Sequence, residues 1–148
     1  MDLPKSLSDL AILSKLHAGT VLRTRVYFED GADDIKLLIV LTNNNDHLVL
    51  NVTTTSNTSK LNRAYSVDDI FVPKDSEPAF NRPTVVQLNR LIPFETETIK
   101  TNYHIHELSI IGQVSDELLK NILERVKNSR ILLKSDVKRI LEENESST

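Results

Sequence analysis

Four groups of side chains in this sequence have types and spacings that can do chemistry. Arg23 and Arg25 share a strand parity with Val21 and Tyr27, so one strand face presents two guanidiniums and a phenol ring. Such a set can hold phosphate, and it describes a solvated face equally well. Thr53, Thr54, Thr55 and Ser56 put four consecutive hydroxyls where a strand leaves the core. Hydroxyls at a strand end either meet a ligand or satisfy nearby backbone groups. Lys60, Arg63 and Arg82 share a proline-containing connection with the isolated aromatics Tyr65, Phe71 and Phe80. His104 and His106 are two residues apart, a spacing metals use on a strand, with no third ligand in view. Either imidazole can act as a base near neutral pH, and plain cross-strand packing competes with both roles. His47 falls at a turn, where exposure is the expectation.

The element that has to position these groups is the stretch from Ile35 to Asn57. Ile35 to Thr42 is a near-continuous aliphatic run, too short for a typical helix. Asn43, Asn44, Asn45 and Asp46 follow, and Asn and Asp tolerate the left-handed conformations of tight turns. Leu48, Leu50 and Val52 then alternate with His47, Val49 and Asn51. The pattern is a β-hairpin whose first strand is buried in the middle of a sheet. Lys36 stands at the start of that strand, where a solvated lysine is the plain reading.

Around the hairpin, residues 6 to 17 read as a helix that docks on the sheet, capped by Ser6 or Ser8 and stopped by Gly19. Its apolar side is Leu7, Leu10, Ala11 and the Leu13–Leu16 pair. Thr20 to Phe28 is a strand with Leu22, Thr24, Val26 and Phe28 on one face. Asn57 to Pro83 is a connection of about 25 residues, a length that is usually functional or mobile, with a short strand or turn expected within Tyr65 to Val72. Pro83 opens a strand from Thr84 to Leu88, and Lys100 to Ile111 reads as the last strand, broken by Gly112. Ser115 caps the clearest helix, with Asp116 and Glu117 at its positive end and Leu118, Leu119, Ile122, Leu123 and Val126 in one stripe. A last short helix spans Val137 to Glu143, and the tail from Glu142 to Thr148 is expected to fray. The expectation is a mainly β, α+β protein: a small antiparallel, barrel-like sheet with helices at its ends.

With 148 residues, one domain is the expectation, divided as a helical extension over 1–18, the sheet and its helix over 19–130, and a short helix and tail over 131–148. A net charge of −3 does not advertise nucleic acid, so any anion site has to be local. The absence of cysteine removes disulfides, thiolate metal sites and cysteine nucleophiles together. No apolar run approaches a membrane span, and the first residues lack the apolar core of a signal peptide, so a cytoplasmic protein away from membranes is expected.

Read in order, these segments resemble the PemK/MazF-type toxins. Gly19-Thr20-Val21 looks like the family's Gly-Asp-Val start, and Lys36 to Asn43 (KLLIVLTN) like its Arg-Pro-x-Leu-Val-Ile-Ser-Asn strand. Val52 to Asn57 is similar to its strand ending in Thr-Ser-Asn. Pro83 to Ile92 resembles its Ser-Val-Val strand, and Gly112 to Arg125 its Gly-x-Leu-Ser-x-Glu-x-Leu helix entry. The resemblance covers roughly residues 19 to 128; its order and spacing carry it, since each apolar strand alone is weak. It implies an SH3-like barrel of the CcdB/Kid-like kind with a C-terminal helix. It also implies a homodimer, an antitoxin peptide as partner, and cleavage of single-stranded RNA without metal or other cofactor.

Such chemistry needs a base for the 2′-hydroxyl, an acid for the leaving oxygen and a cation for the phosphate. By the resemblance, Lys36 stands where the family has its arginine, keeping the charge without the bidentate fork. Thr55 stands where the family has its threonine, with Ser56 beside it; Lys36, Thr55 and Ser56 are thus the implied catalytic set. Arg23, Arg25, Lys60, Arg63 and Arg82 are the expected RNA-binding cations. Gln87 and Asn89, also expected near RNA, replace a charged Arg and Asp found in some members and can serve neither as cation nor as base. The departures fall on the chemistry more than on the framework. A catalytically inactive relative that binds RNA or an antitoxin is therefore the second reading. An unrelated barrel that binds protein partners through its long connection and N-terminal helix is the third.

Overall fold

A computed structural model describes residues 12–27, 31, 33–42, 48–55 and 69–145. Among these, six antiparallel strands form one sheet: β1 (Thr20–Tyr27), β2 (Asp33–Val40), β3 (Leu48–Thr55), β4 (Ile70–Val72), β5 (Thr84–Glu95) and β6 (Leu108–Gln113). Their order is β4-β5-β3-β2-β1-β6. Three helices accompany them: α1 (Thr96–His104), α2 (Asp116–Lys127) and α3 (Lys134–Glu145). The fold is a mixed, mainly β, α+β arrangement. Among the described residues the edge strands β4 and β6 do not pair with each other, so the sheet these strands form is open.

The expected hairpin is the middle of this sheet, with β2 against β3 in the register Leu38↔Thr53, Ile39↔Val52 and Val40↔Asn51. Alternation then sends successive side chains to two different cores. Val21, Ile39, Leu41, Leu50, Val52, Val86 and Leu88 pack with Leu118, Ile122 and Val126 of α2 and Ile140 of α3. Leu22, Val40, Val49 and Leu108 pack the other way, with Ile12, Leu16 and Ile99 of α1. Helices thus cover both faces of the sheet, which corrects the expectation of helices at its ends. The cause is that both parities of β1 to β3 are apolar near the hairpin, so each face needs a cover. Each fully buried Leu or Ile contributes about 1.5–3 kcal/mol on such faces.

The described end of the N-terminal segment docks as expected, through Ile12 and Leu16; Ser6, Leu7, Ser8, Leu10 and Ala11 lie outside the described residues. Gly19 ends it with a φ of +95°, in the left-handed region that a side chain disfavours. Its N–H donates to Val40 O at 2.8 Å and its carbonyl accepts from Val114 N at 2.9 Å, so this one residue ties β2 to the segment after β6.

Four expectations need correction. The strand read from Lys100 to Ile111 is a helix, α1, followed by the shorter β6. Thr96 and Ile99 are its buried residues, three apart, and Glu97 sits in its first turn with Lys100 bonded to it at 2.7 Å. A helical spacing thus underlies a segment that also alternates. His104 is in the last turn of α1, and His106 adopts φ 61° in the turn beyond, so the two do not share a strand face. β5 runs on to Glu95, where a strand was expected only to Leu88. Pro93 is tolerated there because, among the described residues, β4 pairs only with Thr84 to Val86 and the far part of β5 pairs with β3 alone, which leaves one side for a residue without N–H. The last helix starts at Lys134 and extends through Glu145, beyond the expected limits of Val137 and Glu143. Asn144 anchors it by donating to Leu41 O at 3.1 Å, so the start of the expected frayed tail is helical.

The strongest helical reading holds in detail. Ser115 caps α2 by accepting from Leu118 N at 3.1 Å, and Leu118, Ile122 and Val126 are buried. The buried Glu77 reinforces the cap by accepting from Ser115 N and from Ser115 Oγ, both at 2.7 Å.

Candidate functional site

The sheet has one end where the hairpin strands part. β2 begins at Asp33 and β3 ends at Thr55, but their pairing stops at Leu38↔Thr53. The last tie is a side chain, with Thr54 Oγ1 donating to Leu37 O at 2.9 Å. Continued by one more alternation, that register would set Lys36 against Thr55. Instead the two lie on the same sheet face, flanking the place where β2 and β3 separate. Lys36 is further held beside Thr24 on β1, and Thr55 beside Val85 on β5.

The same parity lines this face with polar groups. Thr53 pairs with Gln87, and Asn51 lies one step further in. Asn51 is fully buried, donating from Nδ2 to Val49 O at 3.2 Å and Ile92 O at 3.1 Å, while its Oδ1 has no partner. Thr24 is also fully buried, and its Oγ1 has no partner. On β5, three residues intervene between the partners of Val52 and Thr53 (Leu91 and Gln87), a bulge that bends the strand beside Gln87. Lys36 is partly exposed, with Nζ 3.9 Å from Asp34 Oδ2. A cation, a carboxylate, threonine hydroxyls and an amide therefore share one face at one end of the sheet.

Those of the expected cations that are described, Arg23, Arg25 and Arg82, do not join them. Arg23 has the opposite parity and faces the α2 side, where it lines a cavity of about 360 Å³ with Arg82, Ile35, Leu37, Phe80, Asn81 and Thr84. Arg25 is on that face too, bonded to Asp33 at 2.9 Å and 3.7 Å from Glu107. The Asp33 bond and charge hold the Arg25 pKa above its ordinary value, with Glu107 adding to the effect. Arg23, Arg25 and Arg82 are thus split from Lys36 and Thr55 by the thickness of the sheet. Ser56, Lys60, Arg63 and His47 lie outside the described residues, as does the side chain of Asn89.

Asn51 and Asp34 escaped the sequence reading as site residues. Asn51, Thr53 and Thr55 form a polar line of period two against the apolar Leu50 and Val52, which is a signal the sequence does carry. Asp34 is acidic in an acidic loop and nothing in its spacing marks it; only the fold sets it against Lys36. Among the described residues no three His, Asp or Glu side chains gather as a metal site requires, and no helix is long and apolar enough to cross a membrane. The chain matches no protein-family model, and no curated protein matches it either.

Proposed function

We propose that this chain is a PemK/MazF-like toxin, an endoribonuclease that cleaves single-stranded RNA without a metal ion, on a small SH3-like barrel. The observation that carries the reading is the parting of β2 and β3 between Lys36 and Thr55, two of the three implied catalytic residues. A meander β1-β2-β3 with β5 beside it, and a last strand β6 returning to β1, supports the barrel reading, as does the bend in β5.

In this reading the scissile phosphate sits between the parted strands. The Lys36 ammonium offsets the charge that builds on the phosphate oxygens, and the Thr55 hydroxyl donates to one of them. Asp34, close to Lys36, takes the proton from the 2′-hydroxyl. The freed oxygen attacks phosphorus, the bond to the 5′-oxygen breaks, and water protonates the leaving oxygen. A 2′,3′-cyclic phosphate and a 5′-hydroxyl result. A homodimer and an antitoxin peptide belong to the same proposal.

The test is incubation of the intact chain with a long unstructured RNA in EDTA, with the product ends analysed. Cyclic phosphate ends support the reading. No cut at a chain-to-RNA ratio near one sinks it and leaves the second reading, an inactive barrel that binds RNA or an antitoxin. Two observations favour that alternative: Gln87 is neutral on this face, and Asp34 partly offsets the charge of Lys36.

A further inference from the structure

Arg23 and Arg82 differ from Arg25 in one respect. Arg25 is matched by Asp33 and Glu107, whereas the guanidiniums of Arg23 and Arg82 make no hydrogen bond or ion pair among the described residues. Both are exposed, and both line the 360 Å³ cavity on the α2 side of the sheet. Among the described residues no acidic side chain lines it, although the chain is acidic overall. Its walls are the apolar Ile35, Leu37 and Phe80, and Asn81 adds an amide that can both donate and accept. The volume lies inside the roughly 300–1,000 Å³ range of small-molecule sites.

The cavity is also built to keep its shape. Phe80 is buried in the core, and Phe80 N donates to Glu77 O at 3.1 Å. Glu77 is in turn fixed to the N-terminus of α2 through Ser115. Thr84 Oγ1 donates to Arg82 O at 3.0 Å, holding the backbone that carries the guanidinium. Arg23 rises from the middle of β1, between Leu37 on β2 and Ser109 on β6.

We infer that this cavity binds the phosphate of a nucleotide, gripped by the unmatched Arg23 and Arg82 with the nucleoside against Ile35 and Leu37. Two guanidinium forks suit a phosphate ester, whose charge is near −2 when it is a monoester at neutral pH. The apolar walls and Asn81 distinguish a nucleotide from a bare anion. The nucleotide can be free or part of a single strand. The site is on the opposite sheet face from Lys36 and Thr55, so it stands or falls independently of RNA cleavage.

The experiment is calorimetric titration of the full chain with inorganic phosphate, adenosine 5′-monophosphate and a pentauridylate at low salt. Arg23→Gln, Arg82→Gln and the charge-matched control Arg130→Gln are titrated alongside. Saturable binding of a nucleotide probe is expected, weakened at least about tenfold by each cavity substitution and unchanged by the control. Equal affinity for the mononucleotide and the pentauridylate assigns the site to free nucleotides, and a tenfold preference for the longer probe assigns it to a strand. The proposal is overturned if no nucleotide probe saturates, if inorganic phosphate binds as tightly as the nucleotide, or if both cavity variants bind like the intact chain. Because nothing is turned over, a chain that cuts no RNA can still pass.

Discussion

The two faces of the sheet, at the end where the hairpin strands part, are furnished in opposite ways. Among the described residues, one carries a single lysine beside a carboxylate, with threonines and amides around it and the buried Thr24 Oγ1 and Asn51 Oδ1 lacking partners. The other carries three arginines, one matched by carboxylates and two unmatched beside an apolar cavity. Strand parity alone separates them: Arg23 and Thr24 are neighbours in sequence and face opposite ways. The lesson is that a tally of basic residues along a chain does not define a surface. Charges that read as one RNA-binding set belong to two places with different chemistry.

The largest effect should come from the lysine face. Lys36→Ala is expected to lower single-turnover RNA cleavage by about 10²–10³-fold, the usual cost of one transition-state charge donor. A loss below threefold would move the chemistry away from this face.

Next is Glu77, which joins the arginine cavity to α2. Glu77→Ala leaves Ser115 N without its acceptor and should cost about 1.5–3 kcal/mol in urea unfolding, as for hydrogen bonds to a charged group. If stability is unchanged, the cavity wall does not depend on that anchor. Smaller and opposite in sign is Thr24→Val. It keeps the shape but removes a buried hydroxyl that has no partner. A gain of about 1 kcal/mol, or a Tm rise of roughly 2–4 °C, is expected. A loss of stability would mean that the hydroxyl is satisfied in solution.

The smallest effect belongs to Arg25. Its partner Asp33 raises its pKa, so the stability it contributes is complete below the ordinary arginine range and is lost only as pH rises through the raised value. Arg25→Gln should therefore leave the pH dependence of melting between pH 6 and 9 unchanged. A new slope in that window would show that another group titrates with the pair.

Much of the frame was legible because it rests on local patterns. The aliphatic run at Ile35 to Thr42, the alternation after it, and the Ser115 cap each declare their element without neighbours. The segment Lys100 to Ile111 reads as a strand because its residues alternate in polarity, while Thr96 and Ile99 just before it sit at helical spacing; the burial of Ile99 against the second core decides for a helix through His104. For the site, Lys36 and Thr55 could be named, but not the parting of their strands, which depends on where a ladder stops. The convergence of Arg23 and Arg82 on one cavity was not legible either, since it depends on how the turn before β5 packs beside β1.

The most direct test of the central claim is a metal-free rate measurement on one long unstructured RNA. In EDTA, the intact chain is compared with Lys36→Ala, Thr55→Ala and Asp34→Asn. The account predicts cyclic phosphate products from the intact chain and a loss of most of the rate in all three variants, with melting temperatures retained. Cleavage that vanishes on adding EDTA, or that persists undiminished in the three variants, would contradict it.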